Sequence, residues 1–184
     1  MSSPFLVGER ISLRPLTAAD LSSAYLDWVN DHEVTRFMET GVFPTTAEAL
    51  QHYATSLIES RQNVLLAIVD KSSGRHIGNV KLGPIEWVHR RALIGIMIGE
   101  KAFRGRGLGR EVVELVLGYA FDRLNLHKVC LGVDADHVQA VKLYQRVGFK
   151  LEGTERQHVF RDGSFRDHYR MGLLRSEYQR REGA

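Results

Sequence analysis

Residues 92–124 constrain the fold most, because they join two different periodicities through a glycine-rich turn. Residues 92–99 form an apolar, β-branched run of strand length, and residues 112–124 repeat apolar side chains at helical spacing. Between them lies Arg104-Gly105-Arg106-Gly107-Leu108-Gly109. The N-H groups and dipole at the start of a helix attract anions, and glycine lets the backbone approach phosphate. The segment therefore predicts a strand, an anion-binding turn and a helix in direct succession.

The glycine spacing separates this turn from two common nucleotide-binding motifs. The dinucleotide fingerprint has its third glycine one position later, and a P-loop continues with Gly-Lys-Ser or Gly-Lys-Thr. Neither pattern is present in the sequence. A tight strand-to-helix connection without a ligand stays open as an alternative for the turn considered alone.

The remaining periodic segments predict a mixed α+β domain. Its central sheet is expected to be mainly antiparallel, with about seven strands flanked by about four helices. A chain of 184 residues with 43% hydrophobic content suits one domain over residues 1–184. We expect its core at about residues 8–174 and a polar, fraying tail at 175–184. The expected strands are residues 10–14, 64–70, 76–82, 92–99, 128–133, 150–159 and 165–174, and the helices begin near Thr17, Thr46, Gly107 and Gln139.

Composition narrows the classes of partner and location. The apolar runs are too short to span a bilayer, and the first residues lack a signal-peptide pattern, so we expect a cytoplasmic protein without a membrane partner. A single cysteine, Cys130, excludes an intrachain disulfide. The eight histidines include no His-x-x-x-His pair, and we expect no metal. The net charge of +3 suits an anionic ligand, but dispersed basic residues argue against nucleic acid.

Two motifs in order carry a family resemblance. Arg104, Gly107 and Gly109 match Arg/Gln-x-x-Gly-x-Gly/Ala, and residues 143–149 match Leu-Tyr-x-x-x-Gly-Phe. With these motifs the chain resembles the GNAT family of acyl-CoA-dependent N-acetyltransferases. Glu152-Gly153 and the segment 28–37 are similar to its RimJ/RimL-like branch. The resemblance spans about residues 8–174 and implies direct transfer from acetyl-CoA to an amine in a ternary complex.

The resemblance also implies where acetyl-CoA binds. In the family, the strand before the glycine turn is splayed from its neighbour, which frees backbone groups for pantetheine, while the turn holds the pyrophosphate. His137 stands where many relatives have asparagine, and Ala140 where they have serine, so contacts there are open. The arginine side chains can be phosphate partners or simply solvated. The cofactor-binding residues implied are Ile96, Met97, Ile98, Arg104, Gly105, Arg106, Gly107, Leu108, Gly109, Arg110 and His137.

The resemblance assigns a general acid but no clear base. Tyr144 matches the family's general acid, and a phenol with a pKa of ~10 stays protonated at neutral pH. Many relatives have a carboxylate early in the central strand, where this chain has Leu93. The candidate bases near strand ends are Glu86, His89 and Asp134, and a water chain is the alternative.

The acceptor follows less directly from the sequence. Residues 76–91 look like those of members that act on amino sugars, so we expect a nucleotide-linked amino sugar. Two alternatives stay open, namely protein N-termini as acceptors and a CoA-binding module without catalysis. A homodimer is the expected assembly. The candidate acceptor-binding residues are Trp28, Asn30, Arg36, Lys81, Trp87 and Arg90.

Overall fold

The computed structural model describes residues 3–21 and 24–178. Eight strands form one sheet in the order β1-β2-β3-β4-β5-β6-β8-β7. The strands are β1 (Leu6–Val7), β2 (Ile11–Pro15), β3 (Val64–Asp70), β4 (His76–Glu86), β5 (Arg91–Ile98), β6 (Lys128–Asp134), β7 (Lys150–Arg161) and β8 (Ser164–Leu174). The helices are α1 (Ala18–Leu21), α2 (Ala24–Asn30), α3 (His32–Thr35), α4 (Ala47–Glu59), α5 (Leu108–Gly118) and α6 (Val138–Val147).

The sheet is antiparallel except where β5 and β6 meet. This pair is parallel, and α5 makes the crossover between the two strands. The mixed, mainly antiparallel α+β sheet is therefore confirmed. β1 is a two-residue edge strand that adds an eighth member to the expected seven.

Two apolar clusters pack on opposite faces of the sheet. The larger one joins the sheet to α5, where Val112, Val113, Val116 and Leu117 are buried at helical spacing. The smaller one packs α2 and α4 against Met97 of β5 through side chains that include Trp28. Each face of the central strands is thus covered over part of its length, and the two faces meet different helices.

Several boundaries differ from the sequence-based expectation. The helix expected from Thr17 is described as α1 and α2, with residues 22 and 23 outside the described part of the chain. The tail expected to fray begins with a 3-10 helix, Arg175–Glu177. Arg175 Nη1 donates a 2.6 Å hydrogen bond to the carbonyl of Phe121, which fixes this turn on the domain. The rest of the expected tail lies outside the described residues.

A buried carboxylate joins β2, α1 and β4. Asp20 accepts hydrogen bonds from Arg14 Nη1 at 2.7 Å and Nη2 at 2.8 Å, and from the Thr17 N-H at 2.7 Å. His76 Nδ1 of β4 lies 3.3 Å from Asp20 Oδ1. Burial raises the pKa of Asp20, but these hydrogen bonds outweigh burial and lower it to about 2 from 3.8. The ionised carboxylate therefore stabilises the folded state.

We expect Asp20→Asn to lower the free energy of unfolding by about 2 kcal/mol at pH 7, because charged hydrogen bonds are lost in a buried place. The folded-state pKa lies below the unfolded value, so this contribution is complete above about pH 4 and is lost as the pH falls toward 2. Urea unfolding at pH 7 and at pH 2.5 measures the difference. The exposed Asp27→Asn is the matched control, and equal losses for both variants would contradict the assignment.

Candidate active site

β5 and β6 pair at one end only and form a fork. Their register covers Arg91↔Lys128, Ala92↔Val129 and Leu93↔Cys130. Beyond Leu93 the two strands lie apart, so the backbone groups on their facing edges are not used in strand pairing. The open arm of β5 includes Ile96, Met97 and Ile98, the residues expected at the cofactor site. The fork can therefore accept an extended ligand between two strands of the sheet.

The glycine turn follows the open arm of β5 and begins α5. Gly105 and Gly107 have φ of 72° and 78°, a region that glycine adopts without strain. Gly107 caps the helix, and no side chain within the described residues caps it by a hydrogen bond. The first N-H groups of a helix lack intrahelical acceptors, so this end is suited to an anionic group.

The arginines of the turn differ in their surroundings. Arg104 donates from Nε to the carbonyl of Ile98 at 2.9 Å and from Nη2 to that of Gly99 at 3.3 Å. Arg110 pairs with Glu114 at 2.9 Å. The exposed Arg106 lies over the ring of Phe103, at 5.3 Å from its centroid. Arg104 therefore links the end of β5 to the glycine turn, and Arg106 is the most exposed of the three arginines.

Contacts of Arg10, the residue before β2, hold the glycine turn in place, and the sequence did not predict them. Arg10 Nη1 donates to the carbonyl of Arg106 at 3.0 Å, and Arg10 Nε lies 3.1 Å from Glu111 Oε2. Glu111 Oε1 also accepts the backbone N-H of Arg10 at 2.8 Å. Glu111 lies in the first turn of α5, where a negative charge suits the helix dipole. That position was the only local signal, because Arg10 is 101 residues away along the chain.

Tyr144 lies on α6 and belongs to the larger apolar cluster. Only 7% of this residue is exposed, and burial raises the pKa of Tyr144 to about 12. Its hydroxyl takes part in no hydrogen bond to another described residue. Gly148 ends α6 with φ of 114°, and the ring of Phe149 packs edge-on against Tyr144 at 5.7 Å. The Tyr-x-x-x-Gly-Phe pattern therefore positions a protonated phenol with a free hydroxyl.

Gly109 serves close packing between α5 and its neighbours. A Cβ at this position would lie 3.1 Å from Leu143 Cδ1 and 3.7 Å from Ile96 Cδ1. The side chain of Leu108 is buried in the core beside this contact. Glycine at 109 thus lets α5, α6 and the open arm of β5 approach one another.

His137 lies at the start of α6 and is half-buried. Its ring stacks on Phe37 with 4.2 Å between centroids, so the imidazole is held in place by an aromatic contact. Burial lowers the pKa of His137, while Asp134 opposes the shift. A neutral imidazole can donate or accept one hydrogen bond at each ring nitrogen.

The candidate bases do not lie together. Glu86 pairs with Arg91 at 2.9 Å, and His89 lies in the adjoining turn, at the end where β5 and β6 remain paired. The seven residue steps of β5 place this end roughly 23 Å from Ile98. Asp134 ends β6 on the open arm but is only 4% exposed, and its Oδ2 lies 3.1 Å from Arg161 Nε. Strand direction explains why two candidates lie far from the glycine turn.

Some of the candidate acceptor residues stabilise the fold, and the others lie at the surface. Trp28 is buried against His76, with 4.9 Å between the ring centroids. Asn30 binds both backbone groups of Thr45, and Arg90 binds Asn125, so these side chains hold loops in place.

Lys81 lies opposite Gly95 on the face away from α5, whereas Trp87 is exposed in the turn after β4. Arg36 forms an ion pair of 2.7 Å with Asp162 in the turn between β7 and β8. Arg161 Nη2 donates to the carbonyl of Met38 at 3.1 Å. These two contacts join the hairpin to the segment after α3, a closure that the sequence did not predict.

Two surface cavities lie outside the fork. One of about 910 Å³ is bordered by β1, α5 and the end of α6, and it includes neither the glycine turn nor Tyr144. The other, of about 530 Å³, borders the turn through Phe103, Arg106 and Leu108. The fork is instead connected to the glycine turn through the open arm of β5, and Ile96 of that arm and Leu143, the neighbour of Tyr144 on α6, both lie close to Gly109.

A forked sheet, an uncapped glycine turn and a buried phenol are features compatible with transfer from an acyl-CoA. The sequence model described as Acetyltransferase (GNAT) domain matches residues 10–150. The chain belongs to this family and is an N-acetyltransferase with acetyl-CoA as acyl donor. No helix in the described part is long and apolar enough to cross a membrane.

Spermidine acetyltransferases are among the most similar known proteins. The spermidine N(1)-acetyltransferase of Escherichia coli K12 is 30% identical over 91% of this chain and 88% of its own. The Vibrio cholerae enzyme is 36% identical over 62% of this chain and 65% of its own. A crystal structure of the Vibrio cholerae enzyme with CoA and spermine has a TM-score of 0.85 at 28% identity, covering 93% of this chain and 99% of that one. These relatives do not support the expected RimJ/RimL-like branch or the amino-sugar acceptor.

Proposed function

We propose that the protein acetylates a primary amine of a polyamine such as spermidine or spermine. The observation that carries this proposal is the similarity to a spermidine N(1)-acetyltransferase over 91% of the chain. A polyamine carries several ammonium groups, so its binding requires carboxylates near the site. The net charge of the protein, +3, repels a polycation, so carboxylates near the site must attract it.

Carboxylates beside the glycine turn support a polycationic acceptor. Asp31 and Glu33 at the start of α3 lie 3.1 and 2.7 Å from Lys101 Nζ. Asp162 at the hairpin tip pairs with Arg36 in a similar way. Each of these carboxylates holds a cationic side chain at the surface. An ammonium group of the acceptor has the same charge and can replace that side chain.

The residues of the fork suit the chemistry of aminolysis. Acetyl-CoA supplies the acetyl thioester, and the leaving thiolate needs a proton. Tyr144 is protonated and has a free hydroxyl, which supports the role of general acid. Asp134 is held by Arg161, while Glu86 and His89 lie at the paired end of the fork. We therefore propose that water in the gap takes the ammonium proton.

The acceptor class is tested by free-thiol release from acetyl-CoA with spermidine, spermine, an N-terminal peptide and a nucleotide-linked amino sugar. We expect kcat/KM for a polyamine to exceed the others at least about tenfold, which corresponds to about 1.4 kcal/mol. Diacetylated spermine, which lacks a primary amine, is the matched control and should give no thiol. If the N-terminal peptide is the preferred substrate, the proposed acceptor class is wrong and protein N-termini take its place. The homodimer, the absence of a nucleic-acid partner and the cytoplasmic location remain predictions.

A further inference from the structure

Three metal-ligating side chains converge on the β7–β8 hairpin. One ligand atom from each of Glu155, His158 and His168 lies within 4.8 Å of the other two. Two imidazoles and one carboxylate are a donor set that suits zinc and related divalent ions. We propose that Glu155, His158 and His168 bind a divalent transition-metal ion, with zinc as the best match.

Two of the three separations between ligand atoms are close to those around a tetrahedral ion, and the third is at most 4.8 Å. Glu155 Oε2 lies 3.2 Å from His168 Nδ1 and 3.7 Å from His158 Nε2. Bonds of about 2.0–2.2 Å in tetrahedral geometry place two ligand atoms roughly 3.3–3.6 Å apart. Small side-chain rotations therefore bring all three atoms to bonding distance of one ion. Water can fill the fourth position, as in zinc sites with three protein ligands.

A bulge in β7 brings two of the ligands to one side. In a regular strand, residues three apart face opposite sides of the sheet. The register between β7 and β8 shifts between Glu155 and Val159, and Gln157 has φ of 52°. The Gln157 N-H donates to Asp167 Oδ1 at 2.9 Å, which holds this bend. The bulge turns His158 toward Glu155, and bulges commonly re-aim side chains in this way.

The third ligand occupies space that a glycine leaves free. His168 is the direct cross-strand partner of Glu155. A Cβ at Gly132 of β6 would lie 2.3 Å from His168 Cε1, so the imidazole packs directly on this glycine. The side chain of His168 is 15% exposed. Its ring is thus confined beside Glu155.

Arg170 belongs to the surroundings of the site. Its Nε lies 2.9 Å from Glu155 Oε2. Carboxylates that bind metals commonly accept a hydrogen bond from an outer partner, so Arg170 can keep Oε2 while a rotation of the carboxylate brings Oε1 to the ion in its place. Arg170 can therefore orient the carboxylate while one of its oxygens faces the two imidazoles.

Calorimetric titration of the EDTA-treated full chain with zinc tests the site. We expect one equivalent of zinc to bind. His158→Ala and His168→Ala should each weaken binding at least about tenfold, because even the loss of a residue that only hydrogen-bonds to a ligand lowers metal affinity by that much. Gly132→Ala keeps all three ligands but displaces the His168 ring, so it should also weaken binding. The control is His52→Ala, because His52 is exposed on α4. Cobalt bound to the wild type should show the visible absorption of four-coordinate Co²⁺.

The readout is binding and does not depend on acetyl transfer. Circular dichroism and thermal unfolding confirm that each variant is folded. Absence of zinc binding to the wild type would overturn the proposal. Equal affinities for the wild type, His158→Ala and His168→Ala would overturn it as well, because zinc would then bind elsewhere. In that case Glu155 serves only as the ion-pair partner of Arg170 and as a contact of the two imidazoles.

Discussion

Tyr144→Phe is expected to lower kcat by about 10²–10⁴-fold, the usual contribution of a positioned general acid. The substitution removes only the hydroxyl, and the edge-on packing against Phe149 is kept. Affinity for acetyl-CoA should therefore stay within about twofold of the wild type, since the ring still fills its place. Thiol release gives kcat, and calorimetric titration gives the affinity.

Tyr119→Phe is the matched control for this experiment. Tyr119 follows α5 and packs on Phe5 at 5.1 Å, on the border of the 910 Å³ cavity and outside the fork. Its substitution should leave kcat unchanged. Equal turnover of Tyr144→Phe and the wild type would remove the proposed proton donor and leave the departing thiolate to solvent.

Gly107→Val is expected to weaken binding of acetyl-CoA at least about tenfold. Valine at a φ of 78° costs about 1–2 kcal/mol, and relaxing this strain moves the first N-H groups of α5. A Cβ at this position meets only Arg10 Nη2, at 3.8 Å, so the effect arises from the backbone and not from a collision. Calorimetric titration measures the affinity.

The β3–β4 hairpin offers a control with matched strain. Gly74 has φ of 69°, and a Cβ there meets nothing within 4 Å. Gly74→Val should lose a similar amount of stability in urea unfolding and keep its affinity for acetyl-CoA. If both variants bind the cofactor equally well, the turn is only a connection between strand and helix.

Local patterns explain the part of the fold that the sequence predicted. The strand Val64–Asp70 and the N-cap at Thr46 agree with the expected positions, because periodicity and capping depend on near neighbours. The glycine turn and Tyr144 were found through short motifs for the same reason. Trp28 was expected to bind the acceptor and instead lies in the smaller apolar cluster, since a tryptophan at helical spacing fits both a core and a binding surface.

Long-range features of the site had no local signal. The register of β4 and β5 places Glu86 and His89 at the paired end of the fork, and strand pairing of this kind cannot be read from one segment. The Arg10–Glu111 pair spans 101 positions. The expectation of no metal rested on histidine spacing along the chain. Glu155 and His168 are neighbours only across two strands, so that spacing contains no information about them.

The gap between β5 and β6 has a consequence for how two ligands can enter and leave the site. On one face of the open arm of β5, Ile96 lies near Leu143 of α6, and on the other face Met97 packs with α2 and α4. Two ligands that entered the gap from these opposite faces would not block each other's exit. Cys130 lies at the last paired position of the fork and is not in the gap. Such a passage suits a transfer completed in one encounter, without a relay through the protein.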